Sequence, residues 1–348
     1  MRVRMDEVVG ELNHELPKSS FVSVIIPLHR DTAIFRKSLA LLSVIDYDAY
    51  EVIVVSDIDI VALPNWVIHV QTGSKTDTGP GVKRDIGLRA AKGVIIAYID
   101  DDAYPRTDWL REATAYLNRN PSISAIGGPG LTPPDSSFRE RLSGCIYESR
   151  LGSGPLRFRF VQRGLEGSLV DDWPAYNLLI RRIALEEVGG WSTSLYGGED
   201  TWLCSRLIDA GCKIAYSPNV VVFHHRRRVV IPHLKQVSNI GRRRGSFTRS
   251  RLNTSKRVVY FVPLIVIALI SVISIAGLIE FLFVPGVRVL VLATILISWL
   301  VVSAERFREL GLGSLAIPPL LIMHHFSYGC SFLVGWILND SIPFKVNS

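Results

Sequence analysis

Short β-branched apolar runs that end in polar or acidic residues set the rhythm of the first hundred positions. FVSVIIPL (21–28) gives way to HRD, and YEVIVVSDID (50–59) passes from apolar to acidic in the same way. Between them TAIFRKSLALL carries Ile34, Leu39 and Leu42 at roughly helical spacing, so the unit reads strand, helix, strand. VIHVQT (67–72) and GVIIAYID (93–100) read as further strands, separated by a helix over 81–93 that Gly93 closes. Continuously apolar strands alternating with helices predict an α/β fold with a mostly parallel central sheet covered on both faces. Ligands of such sheets bind beyond the carboxyl ends of the strands. Leu28 to Arg30, Ser56-Asp57 and Asp100 to Asp102 fall at those ends and are expected to meet in one crevice.

The pattern changes in the last third, where three long apolar runs occupy 258–279, 289–304 and 315–338. About 20 apolar residues are needed to span a bilayer, so the first and third qualify and the second is marginal, with a buried core helix as its alternative. Pro285-Gly286 suits a turn between the first two. The expected organisation is an N-terminal tail (1–20), a catalytic-type α/β domain (21–231), a basic juxtamembrane segment (232–257), three spans (about 258–279, 287–304 and 315–338) and a C-terminal tail (339–348). No signal-peptide core is visible near the N-terminus, which predicts a cytosolic head on a multi-pass protein of the cytoplasmic membrane. Residues 224–257 hold eleven Lys or Arg and no acid, placing the flank of the first span on the cytoplasmic side.

The formal net charge of +7 comes largely from that segment, so membrane lipids with anionic headgroups are expected partners. No nucleic-acid-binding signature accompanies the charge, and no nucleic-acid partner is expected. Cys145, Cys204, Cys212 and Cys330 form no CxxC pair, which argues against a zinc site or a disulfide framework.

Chemistry concentrates in AYIDDDAYP (97–105). Three adjacent carboxylates repel one another and need either solvent at a turn or a compensating cation. Their place at a strand end favours the cation, and hard oxygen ligands on a turn suit Mg²⁺ or Mn²⁺ completed by substrate phosphates. Alternation along the strand pairs Asp100 with Asp102 and turns Asp101 elsewhere.

VSVIIPLHR, YEVIVVSD, KRDIGLRAAKG, AYIDDDAYP, NLLIRR followed by VGGW, and GGEDTWLCSRLIDAG, in this order, resemble the family 2 inverting glycosyltransferases of the GT-A fold over about residues 21–228. The resemblance implies a Rossmann-like GT-A domain ahead of an α-helical membrane domain. It also implies a nucleotide-diphosphate sugar as donor, with Mg²⁺ or Mn²⁺ as cofactor. Asp102 and Asp100 become the metal ligands, with His225 as a further candidate. Pro27, Leu28, His29, Asp57, Arg84, Asp100 and Asp101 become the nucleotide and donor contacts. The pair Glu199-Asp200 becomes the catalytic acidic pair with Asp200 as base, although acids in a helix's first turn also serve as plain caps. Trp173, Asn177 and Gly198 are placed at the donor-sugar and acceptor pocket.

The expected activity is transfer of a sugar to a lipid-linked or cell-envelope glycan acceptor at the cytoplasmic membrane face. Two alternatives stand beside it: a polyprenyl-phosphate monosaccharide synthase, and a non-catalytic membrane scaffold with a GT-A head. His324 and His325, polar groups inside the third run, read either as a lipid-phosphate or transport feature or as simple helix-to-helix bonding.

Overall fold

The computed structural model describes residues 20–193, 195–265, 267–268 and 285–338. An eight-stranded sheet runs in the order β3-β2-β1-β4-β9-β6-β10-β8. β1 (Val22–Leu28), β2 (Tyr50–Ser56), β3 (Val67–Gln71) and β4 (Ile95–Tyr98) pair in parallel, as the apolar runs predict. β9 (Leu178–Arg181) then enters antiparallel to both β4 and β6 (Ala125–Gly127). β10 (Ile214–Tyr216) runs parallel to β6 and antiparallel to β8 (Ser168–Val170), so the sheet is mixed beyond its first four strands. A small second sheet places β11 (Val222–His224) between β5 (Ala103–Pro105) and β7 (Gly130–Leu131).

Alternation along β1 divides the core. Val22, Val24, Ile26 and Leu28 pack with α1 (Ala33–Leu42) and α3 (Trp109–Arg119), while Ile25 faces the opposite layer with Ile53, Trp191 and Leu203. α2 (Pro80–Ala90) lies against the sheet at Gly87, where a Cβ would come within 2.5 Å of the Ile25 side chain. This close approach carries Lys83 and Arg84, one turn earlier, to the carboxyl end of the strands. The helix stops at Ala90, and Gly93 serves instead as a tight entry to β4, its amide bonded to Ser23 Oγ at 2.7 Å.

Past α4 (Phe138–Glu148) and α5 (Glu199–Asp209), the basic segment forms α6 (Ile231–Arg249). Rather than lying free, α6 runs alongside α8 (Ile317–Leu338), after α7 (Pro285–Ala304). His233 Nε2 meets His324 Nδ1 at 3.0 Å, Ser238 and Ser331 hydroxyls meet at 2.6 Å, and Ser246 Oγ donates to the Gly335 carbonyl at 3.2 Å. Glycines bring the two backbones together: a Cβ on Gly245 would overlap the Phe332 carbonyl, and one on Gly335 would overlap the Arg242 carbonyl.

Among the described residues one helical stretch, within Phe307–Leu338, is long and apolar enough to cross a membrane, against the three expected. Leu292–Ala304 is apolar but shorter. Pro285 and Gly286 open α7 rather than forming a separate turn, consistent with the tolerance of proline in a first helical turn. Most of the expected first span lies outside the described residues.

Candidate active site

The strand ends and the start of α5 border one cleft of about 1870 Å³. Pro27, His29, Arg84, Asp100, Asp101, Asp102, Gly198, Glu199, Asp200 and His225 all line it, as expected. Four expected residues do not. Leu28 is core, at 0% exposure. Trp173 is equally buried among apolar side chains, and Asn177 spends its amide on Trp109 Nε1 (2.8 Å), Val220 O (2.7 Å) and Pro129 O (3.4 Å). The cleft takes Asp172, Pro174 and Tyr176 from that segment instead.

Asp57 is the fourth. Its Oδ1 accepts from the Thr72 and Thr78 hydroxyls at 2.6 and 2.8 Å, and its Oδ2 from the Thr78 amide at 3.2 Å, with Lys83 Nζ 2.7 Å away. Burial opposes its charge, but these donors outweigh burial and hold the carboxyl at about 2. All its acceptor positions are thus engaged in ordering the 72–78 loop. Lys83 and Asp77, which the sequence did not single out, line the cleft in its place, and Asp77 Oδ2 lies 3.1 Å from His29 Nδ1.

The three aspartates, in the turn after β4, point to two sides. Asp101 turns back to accept the His29 amide at 3.0 Å; burial and the charges of Asp102 and Asp100 raise its carboxyl to about 6. Asp100 and Asp102 share the other side with His224, and these three can offer ligand atoms within 4.8 Å of one another. The histidine beside Asp102 is therefore His224, its Nε2 3.0 Å from Oδ1, whereas His225 packs toward the Tyr104 ring. Tyr176 stacks on the His224 ring at 4.6 Å and fixes its plane. Burial works against the Asp102 charge, but His224, Arg227 and His225 overcome it and hold the carboxyl at about 2. Two carboxylates and one imidazole fit Mn²⁺, with Mg²⁺ favouring more oxygen.

Arg84 joins this wall to the start of α5. Its guanidinium donates to Asp100 Oδ1 at 2.7 Å and to Glu199 Oε1 at 3.0 Å, and stacks 4.5 Å from the Trp191 ring. Burial disfavours the cation, yet Asp100, Glu199 and Asp200 together push its pKa up. Glu199 and Asp200 enter α5 after Gly197 and Gly198, whose φ values of 86° and 83° suit glycine. A Cβ on Gly198 would lie 2.7 Å from the Phe247 ring of α6.

Asp200 is pushed up to about 7 by burial and by the charges of Glu199 and Asp172. Behind it lies a buried network. Asp172 pairs with Arg244 Nη2 at 2.7 Å and Arg159 Nη2 at 3.5 Å, and accepts from Thr201 Oγ1 at 3.1 Å. Arg244 in turn stacks 4.1 Å from the Tyr260 ring.

Residues 23–189 match the family model described as glycosyl transferase family 2. They form a family 2 glycosyltransferase domain. Two Mycobacterium tuberculosis proteins named pre-mycofactocin glycosyltransferase are 30% identical to the chain over 149 residues, 43% of this chain and 30% of theirs. The chain therefore spans less than a third of those relatives' length. Glycosyltransferase AglE of Haloferax volcanii is 25% identical over 222 residues, 60% of this chain and 67% of its own. A mannosyltransferase of Pyrobaculum calidifontis, PcManGT, solved with GDP-Man and Mn²⁺, superposes with a TM-score of 0.61 at 15% identity, covering 94% of this chain and 90% of its own. That likeness shows that the family 2 domain has the GT-A fold and that the fold relationship extends into the helical C-terminal region.

Proposed function

We propose that the chain transfers a sugar, with inversion, from a nucleotide-diphosphate sugar to a lipid-linked or cell-envelope glycan acceptor at the cytoplasmic face of a membrane, using Mg²⁺ or Mn²⁺. The carrying observation is one continuous cleft that holds Asp100, Asp102 and His224, joins them through Arg84 to the Glu199-Asp200 pair, and extends past α6 to Val259, Val262, Ile295, Trp299, Ile322 and Phe326. A polar catalytic end and an apolar extension suit an acceptor that carries a lipid. The apolar C-terminal helices anchor the head to the bilayer. The relatives' names, all glycosyltransferases, agree with this reading.

A cation held by Asp100, Asp102 and His224 would stabilise the charge developing on the departing nucleotide diphosphate. Asp200, as carboxylate, takes the proton from the acceptor hydroxyl as that oxygen attacks the anomeric carbon. Arg84 fixes Asp100 and Glu199 relative to each other, and thereby the leaving-group wall relative to the base. A metal-bound diphosphate needs no protonating acid, which distinguishes the site from the two-carboxylate arrangement of glycosidases.

The test screens the purified chain against nucleotide sugars with Mn²⁺ or Mg²⁺, following metal-dependent donor binding and turnover. Asp102→Ala is expected to lose metal-dependent binding, and Asp200→Asn to bind donor but not transfer. Full transfer by Asp200→Asn, or normal metal-dependent binding by Asp102→Ala, would overturn the corresponding assignment.

A further inference from the structure

Beside the cleft lies a smaller pocket of about 410 Å³ lined by Arg150, Arg157 and Arg163 together with Leu165, Ser168 and Tyr216; no carboxylate borders it among the described residues. Its backbone is fixed from below. The Tyr216 hydroxyl on β10 donates to Arg163 O at 2.6 Å and to Phe158 O at 3.3 Å, pinning the turn that carries Arg163 against the 3₁₀ helix Gly154–Arg159 that carries Arg157. Gly164, at φ +109°, lets that turn lie on the Tyr216 ring, where a Cβ would come within 3.1 Å. Ser168 Oγ closes it onto Leu165 O at 2.8 Å.

The three cations are poorly compensated. Arg150 and Arg163 are exposed and have no side-chain partner among the described residues, while Arg157 Nε donates only to a neutral acceptor, Glu148 O. Two nearby acids are engaged elsewhere, and among the described residues only Glu305 acts on Arg157: Glu148 accepts from Thr132 at 2.6 Å and pairs with Arg306 at 3.4 Å, and Glu166 accepts from Ser217 at 3.1 Å. Burial lowers the Arg157 pKa, and Arg306, Arg163 and Arg150 lower it further against a partial offset from Glu305.

Exposed apolar side chains rim the arginines. Leu151, next to Arg150 in the chain, is 56% exposed, and Leu165, which lines the pocket, is 81% exposed. This rim is continuous with the helices that carry the apolar third, because His325 Nε2 of α8 bonds the Leu151 carbonyl at 2.9 Å. Cations interleaved with exposed leucines beside apolar helices match the chemistry of the lipid interface, where headgroup phosphates lie above acyl chains. The basic segment marked by the sequence is, by contrast, partly turned inward, with Arg244 buried on Asp172 and Arg226 on the Gly130 carbonyl.

We infer that the Arg150, Arg157 and Arg163 pocket binds the phosphate headgroup of an anionic phospholipid and seats the catalytic head on the bilayer. The inference does not depend on the glycosyltransferase reading. Each arginine near an anionic surface contributes roughly fivefold in occupancy, the equivalent of about 1 kcal/mol, so removing two costs about thirtyfold.

The test places the full chain in lipid nanodiscs of phosphatidylcholine alone or with phosphatidylglycerol added, and follows hydrogen exchange of peptides covering 150–168. Phosphatidylglycerol should slow exchange there several-fold. Arg157→Gln with Arg163→Gln should abolish that slowing, whereas Arg157→Lys with Arg163→Lys, which keeps both charges, should retain most of it. A Lys235→Gln, Arg249→Gln control on α6 should behave as wild type. The inference is overturned if both disc compositions protect equally, if the glutamine variant keeps the protection, or if inorganic phosphate with phosphatidylcholine discs reproduces it.

Discussion

Asp200 can act as a base only when ionised, and its surroundings oppose ionisation: burial, Glu199 and Asp172 raise its carboxyl to about 7. The rate of sugar transfer at limiting substrate, kcat/KM, should therefore fall about tenfold for each pH unit below about 7 and level off above it. Asp172→Asn removes one repelling charge and leaves Arg159 and Arg244 nearby, so the limb should move to lower pH in that variant. Asp200→Asn should lose transfer by roughly 10²–10⁴-fold while retaining donor binding. Folding carries the opposite sign. With its pKa raised above the ordinary 3.8, folded Asp200 keeps a proton that the unfolded chain releases, so its contribution to stability is greatest below about pH 4. That contribution declines as pH rises toward 7, by on the order of 4 kcal/mol at most. Thermal scans of wild type and Asp200→Asn across this window should show the wild type's relative advantage shrinking as transfer rises. A transfer limb near pH 4 in the wild type, or Tm differences independent of pH, would refute a raised Asp200.

Arg244→Met strips the nearest partner from buried Asp172 and should cost about 3 kcal/mol, less than the full loss of a buried pair would allow because Arg159 and Thr201 remain. Thermal melting should drop by about 4 °C near neutral pH. Because Asp172 is held below the ordinary carboxylate range, the penalty should fade as pH falls through about 4, and Asp172→Asn combined with Arg244→Met should recover part of it. His224→Ala should weaken Mn²⁺ binding, measured by calorimetry, by about tenfold or more, whereas His225→Ala should leave it near wild type. Gly198→Ala forces a side chain into φ +83° and against Phe247, and urea unfolding should register a loss of about 1–3 kcal/mol.

β1, β2 and β4 were legible because they are largely buried on both faces and advertise themselves as apolar runs; all seven residues of β1 are buried. Strands of two or three residues, such as β5, β7 and β11, carry too little pattern to be seen, and their pairing decides which histidine meets Asp102. The register of β11 against β5, with His224 opposite Ala103, turns His224 to Asp102. Asp100 and Asp102 were singled out by the resemblance, with alternation at a strand end as support, and they lie on one side with His224. Trp173 and Asn177 were placed at the pocket by resemblance over their segment, which says nothing of direction, and both side chains are buried away from the cleft. Asp57 was readable as an acid at a strand end, but not the two threonines and the lysine that saturate it.

The same limit hid the role of α6. Arg242, Arg243 and Arg244 are indistinguishable as a run of charge, yet Arg242 is exposed, Arg243 reaches the Tyr196 carbonyl at 3.2 Å, and Arg244 is buried on Asp172. Helical geometry separates neighbours by about 100°, so three adjacent arginines necessarily face three environments. The inward one is linked to the cleft because Thr201, which bonds Asp172 at 3.1 Å, also donates its amide to Asp200 Oδ1 at 2.7 Å. α6 thus reaches Asp200 through Asp172 and Thr201, while an adjoining face is locked to α8 where Gly241 and Gly245 meet the Tyr328 and Phe332 carbonyls and Gly335 meets the Arg242 carbonyl. Any tilt of that helix pair must either carry Asp172 with it or break a buried ion pair, and the second is costly. α6 and α8 are therefore mechanically coupled to the cleft that holds Asp100, Asp102, Asp200 and His224.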